Sequence, residues 1–162
     1  MGMVYKVTRL TVSGQDFFDT VMEGVVDDIH KATTKKVPPH AIAAGYTYKK
    51  DIVNRSRNKE TVQVKITKLE PGVLYEAEID TAMGVHTTSF EIKDLGNDQC
   101  VVTAGQGTAL KSQEGQDTRF HRQNPIVSAL IKSSQRKQLK EMEKYIKNKK
   151  FEASRASKDE EN

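Results

Sequence analysis

The spacing of hydrophobic residues changes along this chain, and the changes predict where helices and strands lie. After Ser13, helical spacing places one apolar set on half of a helical wheel, with acidic residues opposite: Phe17, Phe18, Val21, Met22, Val25, Val26 and Ile29. Ser13 supplies an N-cap oxygen, and Pro38 with Pro39 ends the helix because proline does not fit a helix interior. The pattern predicts an amphipathic helix preceded by a strand at residues 4–12.

Residues 46–111 follow a different rule, in which apolar and polar residues alternate in short runs. The first predicted strand covers residues 46–53, three more runs begin at Val62, Val73 and His86, and a last one covers residues 99–111. Turn-forming residues separate the later runs: Pro71-Gly72, Met83-Gly84 and Gly96-Asn97-Asp98. Alternation with one polar side is typical of antiparallel strands whose sheet has one solvated face.

A second long helix is predicted from Pro125 to about Phe151, after a polar loop at residues 112–124. Residues 39–44 are predicted to form one short helix. We expect a single domain over residues 1–152 and a disordered polar tail over residues 153–162. Helices at the two ends of a strand meander favour an α+β fold, in which the helices cover one face of an antiparallel sheet.

Three local motifs and the order of the elements carry a resemblance to known proteins. The first helix opens with Phe17-Phe18-Asp19 and closes on Asp28-Ile29-His30-Lys31-Ala32-Thr33, and Gly45-Tyr46 opens the next strand. These motifs are similar to those of an uncharacterised domain-of-unknown-function family of Gram-positive bacteria. The element order resembles the helix-grip fold of the START-like superfamily, which includes polyketide cyclases and the birch-pollen allergen.

The resemblance implies a curved antiparallel sheet of about six to seven strands that wraps the long C-terminal helix and leaves a cavity between them. It carries over no catalytic residue. The polar segment at residues 112–124 departs from the pattern expected of such proteins, so the resemblance assigns it no role as a lid.

The last helix offers candidate residues for such a cavity. One apolar side is defined by Val127, Leu130, Ile131, Met142 and Tyr145. By helical spacing Ser134 and Gln138 project within it, and a buried amide at Gln138 would need a partner, a water or a ligand. The alternative is that the middle of the helix is solvated and that Leu139 and Ile146 shift the buried face.

The strands add further candidates, because His86 shares one strand face with Thr88 and Phe90, and Gln106 and Thr108 lie on the last strand. His86 either donates to a ligand at the cavity mouth or is an ordinary wall residue. The complete set of predicted ligand-binding residues is His86, Thr88, Phe90, Gln106, Thr108, Leu130, Ser134, Gln138 and Met142.

Charge and composition exclude several classes of function. The net charge is +4, but acidic residues interleave with basic ones, and few aromatic residues accompany the basic runs at residues 55–59 and 136–150. Nucleic-acid binding is therefore not expected, and these runs are predicted to be solvated surface. The Asp27-Asp28 pair is predicted to be solvated too.

With one cysteine, Cys100, no signal sequence and no membrane span, the sequence indicates a cytoplasmic protein.

The sequence contains no catalytic, metal-binding or cofactor motif that we recognise, so neither a metal nor a cofactor is predicted. Three hypotheses remain for its function. The first is a module that binds a small hydrophobic or amphipathic molecule between sheet and last helix. The second is a cyclase-like or hydratase-like enzyme that uses His86. The third is an interaction protein whose basic last helix, or the basic loop at residues 55–59, docks an acidic partner, without any ligand. The sequence does not indicate the oligomeric state.

Overall fold

The computed structural model describes residues 3–53, 57–110 and 125–160, and within the last helix it describes the side chains of residues 135–155. Its elements, in chain order, are β1 (Met3–Leu10), α1 (Gly14–Thr33), a 3-10 turn (Pro39–Ala41), β2 (Thr47–Val53), β3 (Lys59–Glu70), β4 (Leu74–Asp80), β5 (Gly84–Gly96), β6 (Gln99–Leu110) and α2 (Pro125–Glu160). This order confirms the predicted α+β helix-grip layout.

The six strands form one curved antiparallel sheet in the order β1-β6-β5-β4-β3-β2. Its inner face follows from the register, since residues directly opposite each other point to the same side. One row across the sheet joins Val4, Gln106, Thr88, Ala77 and Ile66. The next row towards the β5–β6 turn contains Phe90 and Tyr75. The outer face carries most of the strands' charged side chains.

Helix α1 packs its apolar stripe on this inner face. Ser13 caps the helix, because its side chain accepts a hydrogen bond from the Asp16 amide at 3.1 Å. Phe17 is fully buried and meets the Phe90 ring edge-on, with 5.6 Å between the ring centroids. Gly14 lies so close to Ile92 that an added Cβ would approach its Cγ2 to 3.0 Å. The start of α1 is thus fixed directly against β5.

Helix α2 buries a different face from the one centred on Met142 and Tyr145. Leu139 and Ile146 are buried, Met142 is half-buried, Tyr145 is 50% exposed and Gln138 is exposed. Leu139 and Ile146 therefore set the buried face, as the second alternative expected, although Gln135 in the middle of the helix is buried as well. The side chains at positions 127, 130, 131 and 134 lie outside the described ones.

Polar contacts complete the attachment of α2. The Glu143 carboxylate accepts a hydrogen bond from the Thr11 amide at 2.7 Å. Lys150 pairs with Asp16 at 2.6 Å, and Lys149 donates to Glu23. These contacts join the last helix to α1 and to the segment that precedes it.

Two boundaries differ from the sequence-based expectation. The predicted helix at residues 39–44 is a short 3-10 turn, because Ile42 has already returned to an extended backbone. Helix α2 continues to Glu160, beyond its predicted end near Phe151, so residues 153–160 are helical rather than a structureless tail. Lysine and glutamate favour helix, and no proline or glycine interrupts this segment. The predicted domain boundary at residue 152 stays a prediction.

The Phe17→Ala variant should lower the free energy of unfolding by about 3–5 kcal/mol, since it opens a cavity in the centre of the core. Phe151→Ala is the matched control, because that ring is 63% exposed, and its effect should stay within about 0.5 kcal/mol. Urea unfolding measures both. Equal losses in the two variants would contradict this description of the core.

Alkaline pH should destabilise the protein through Tyr75. Burial, assisted by the negative charge of Asp28, raises the pKa of Tyr75 from 10.0 to about 12. Between these values the unfolded chain releases the proton and the folded protein keeps it, so the free energy of unfolding falls as pH rises. Urea unfolding across this pH window should show that the free energy of unfolding falls less steeply with pH in Tyr75→Phe than in the wild type. The two slopes should differ by at most about 1.4 kcal/mol per pH unit. Identical slopes would contradict the prediction.

Candidate functional site

A pocket of about 410 Å³ lies between the inner face of the sheet and the two long helices. Five strands and both helices contribute to its wall. Among the described residues, its lining consists of Thr20, Val21, Gly24, Val25, Asp28, Tyr48, Lys50, Val64, Tyr75, Ala77, Ile79, Thr88, Phe90, Gln106, Gln138 and Met142.

Most of the wall is apolar because it is made of the same inner-face positions as the core. Val64 and Ala77 are buried strand residues that alternate with exposed or half-buried outward neighbours, and Phe90 is buried beside the exposed Glu91. Val21 and Val25 provide the opposing side from α1. The pocket between the strands and α1 is not filled by side chains, partly because the side chain of Ala77 is small.

A stripe of α1 residues spaced by four forms another part of the wall: Thr20, Gly24 and Asp28. Gly24 leaves a gap in this stripe, since an added Cβ would have no atom within 4 Å. Gly24 on α1 and Gln138 on α2 are both exposed while they line the pocket. These two positions therefore mark where the pocket meets solvent.

One group of polar side chains, which we call the β2 triad, consists of Asp28, Tyr48 and Lys50. The Tyr48 hydroxyl donates to Asp28 Oδ2, and Lys50 Nζ donates to the same oxygen at 3.0 Å. Burial raises the pKa of Tyr48 well above its usual range, and the hydrogen bond to the Asp28 carboxylate raises it further. Tyr48 is therefore a neutral phenol at physiological pH.

The positions of the three residues on β2 and α1 explain why their side chains meet. Tyr48 and Lys50 are two residues apart on β2 and so point to the same face of the sheet, and Asp28 lies near the end of α1 that packs over β2. The prediction that Asp27 and Asp28 are both solvated is correct only for Asp27, which pairs with Lys31 on the exposed side at 2.8 Å. Asp28 is half-buried.

A second polar pair, which we call the strand pair, consists of Thr88 on β5 and Gln106 on β6. They are direct cross-strand partners on the inner face, and both line the pocket half-buried. Within the described part of the chain, neither side chain has a hydrogen-bond partner.

The predicted ligand-binding residues separate into three groups. The pocket brings together Thr88, Phe90, Gln106, Gln138 and Met142. His86 and Thr108 are exposed, lie outside the described lining, and form a hydrogen bond with each other at 2.8 Å. The side chains of Leu130 and Ser134 fall outside those that the structure describes.

Sequence reasoning missed the β2 triad and one buried amide. Gln135 is only 2% exposed, and its Nε2 donates to the Ala104 carbonyl at 3.3 Å. Its Oε1 has no partner among the described residues. The buried amide of α2 is therefore Gln135 rather than Gln138. The periodicity around Leu139, which shares its face, is the signal that points to it.

The described ranges contain neither an activated cysteine nor a metal-binding cluster. Cys100 is buried, and this burial raises the pKa of its thiol to about 11, which makes it a poor nucleophile. No group of three His, Cys, Asp or Glu side chains within residues 3–53, 57–110 and 135–155 is arranged to hold a metal ion. Neither described helix is long and apolar enough to span a membrane.

Solved structures share this architecture at low sequence identity. Ara h 8.0201 superposes with a TM-score of 0.57 and 11% identity, covering 91% of this chain and 98% of that one. A START superfamily protein from Mycobacterium smegmatis gives 0.55 and 10%, covering 90% and 97%. A point mutant of norcoclaurine synthase from Thalictrum flavumn, in complex with a transition-state analogue, gives 0.55 and 9%, covering 92% and 96%. These similarities establish the fold alone.

Sequence comparison assigns the family. No curated protein matches the chain. A family model described as "Domain of unknown function (DUF3284)" matches residues 5–120, which is well over half of the sequence. The chain therefore belongs to the DUF3284 family and has the helix-grip fold of START-like proteins.

Proposed function

We propose that this protein binds a small hydrophobic or amphipathic molecule in the pocket between α1, α2 and the sheet. The observation that carries the proposal is the pocket itself, about 410 Å³ with a mainly apolar wall and a few polar groups. Ligand sites in proteins commonly have this volume range and this composition. The START-like fold supports the proposal by analogy only.

The energetics favour an apolar guest. Each square ångström of apolar surface that leaves water contributes about 25 cal/mol, so a guest that covers Val64, Ala77 and Phe90 gains from every methylene it buries. The polar side chains then fix its orientation. A cytoplasmic location is part of this proposal, because the single buried Cys100 requires no oxidising compartment.

The enzyme hypothesis has less support. General acid–base catalysis by a histidine needs a substrate within reach and commonly a carboxylate that orients the ring. Within the described residues, His86 is exposed, lies outside the lining and hydrogen-bonds Thr108 rather than a carboxylate.

The acidic-partner hypothesis is also weakened by the contacts of α2. Lys149 and Lys150 pair with acidic residues of α1, and Lys140 lies 3.7 Å from Glu143 on its own helix. Part of the basic charge of α2 is therefore neutralised within the molecule, which leaves less for an acidic partner.

The Gly24→Phe variant should block the pocket without harming the fold. The new side chain projects between Thr20 and Asp28, where a Cβ meets no atom, and replacing a helical glycine favours folding by up to about 1 kcal/mol. Binding of an environment-sensitive hydrophobic dye should weaken at least about tenfold, or 1.4 kcal/mol. Fluorescence titration measures the affinity, and thermal unfolding measures the stability.

His30→Phe is the matched control, because it places the same ring on the exposed side of α1, away from the pocket. It should bind the dye as the wild type does. Equal binding by Gly24→Phe and wild type would contradict the proposal. Native mass spectrometry of protein purified from its own host should in addition reveal a bound mass, which the Gly24→Phe variant loses.

A further inference from the structure

The β2 triad and the strand pair are two polar groups of the pocket that lie at separate places on the sheet. The β2 triad is at one edge, since β2 is the last strand in the sheet order. The strand pair is on β5 and β6, three to four strands away. Strands are spaced by about 4.8 Å, so these groups are roughly 14–19 Å apart along the surface of the sheet.

The wall between these two places is mainly apolar, and Tyr75 of β4 is the described lining residue there that carries a polar group. Val64 on β3 and both Ala77 and Ile79 on β4 line the pocket there, and Val21 and Val25 face them from α1. A molecule that fills the pocket along the sheet therefore meets a polar end, an apolar middle and a second polar end.

Both polar ends retain hydrogen-bonding capacity. In the β2 triad, Lys50 uses one of its three N–H groups on Asp28. Asp28 Oδ1 accepts no hydrogen bond within the described residues, since both donors bind Oδ2. At the strand pair, the Gln106 amide and the Thr88 hydroxyl each offer a donor and an acceptor without a described partner. A hydroxyl group, which donates and accepts, suits each end.

The charges of the pocket favour an uncharged guest. Lys50 and Asp28 are the only charged residues among the described lining, and they pair with each other. A ligand carboxylate would gain from Lys50 but would lie beside Asp28, and it would lose its hydration without a partner of its own. A ligand amine would gain from Asp28 but would lie beside Lys50, and it too would lose its hydration without a partner of its own.

We propose, building on the ligand-binding function above, that the pocket recognises an uncharged molecule with one hydrogen-bonding group at each end of an apolar segment. The β2 triad binds one end, and the strand pair of Thr88 and Gln106 binds the other. The apolar segment lies across β3 and β4.

Linear alcohols provide a direct test, because a diol and a mono-alcohol of equal length differ only in the second hydroxyl. In a purely apolar pocket the mono-alcohol binds better, since its terminal methyl group is the more hydrophobic end. If the pocket recognises a polar group at each end of the ligand, the diol binds better than the mono-alcohol. Dye-displacement titrations should show 1,12-dodecanediol binding about fivefold tighter than 1-dodecanol, the size of one added hydrogen bond. Dodecanoate should bind more weakly than 1-dodecanol.

Chain length provides a second readout. Within a series from octanediol to hexadecanediol, affinity should pass through a maximum where the two hydroxyls match the separation of the two polar ends. For mono-alcohols of the same lengths, affinity should rise with each added methylene until the pocket is full. A diol series that follows the mono-alcohol series would overturn the proposal.

Variants locate the two ends. Lys50→Met and Gln106→Leu should each remove the preference for the diol and keep binding of the mono-alcohol. Their matched controls are Lys49→Met, an exposed lysine on the opposite face of β2, and Gln63→Leu, an exposed glutamine on the opposite face of the sheet. Both controls should retain the wild-type preference. Thermal unfolding of all four variants verifies that they are folded.

The outcomes distinguish this inference from the function on which it rests. If wild-type protein binds mono-alcohols at least as tightly as diols and Gly24→Phe abolishes both, the pocket binds ligands but two-ended recognition is wrong. If neither alcohol displaces the dye and Gly24→Phe changes nothing, both proposals are wrong.

Discussion

The contact between the apolar stripe of α1 and the inner face of the sheet is the interaction on which the rest of the structure depends. Phe17 and Phe90 meet at its centre, and the buried positions of the strands converge on the same cluster. A single amphipathic helix cannot fill the concave side of a six-stranded sheet, because helix and sheet curve differently. The pocket lies beside this contact, where Gly24 and Ala77 contribute little side-chain volume.

The two helices are attached in different ways. α1 is held mainly by burial of large apolar residues, whereas the described part of α2 buries Leu139 and Ile146 and otherwise relies on polar contacts such as Glu143 with Thr11. Exposed ion pairs contribute little individually, commonly below about 1 kcal/mol. The described part of α2 is therefore anchored by fewer large apolar side chains than α1.

The fold was largely predictable because the signals that specify it are local. Alternation along β3, β4 and β5 assigns their inner residues, and turn residues such as Pro71 and Gly72 set the hairpins. The face of α2 was less predictable, because its apolar residues are spread around the helix and tertiary packing selects among them. The β2 triad was not predicted at all. Asp28 and Tyr48 are 20 residues apart, and nothing in either local pattern reveals that a helix end packs over an edge strand.

Anchoring α1 at both of its ends has a consequence for selectivity. At the first residue of the helix, the Gly14 amide donates to Asp94 of β5 at 2.9 Å; towards its other end, Asp28 accepts from Tyr48 and Lys50 of β2. Asp28 lies fourteen residues after Gly14, a distance of about 21 Å along the helix. The helix therefore links two strands that are three positions apart in the sheet. If the pocket binds a ligand as we propose, selection of that ligand by size would depend on this backbone scaffold, which exists before the ligand binds.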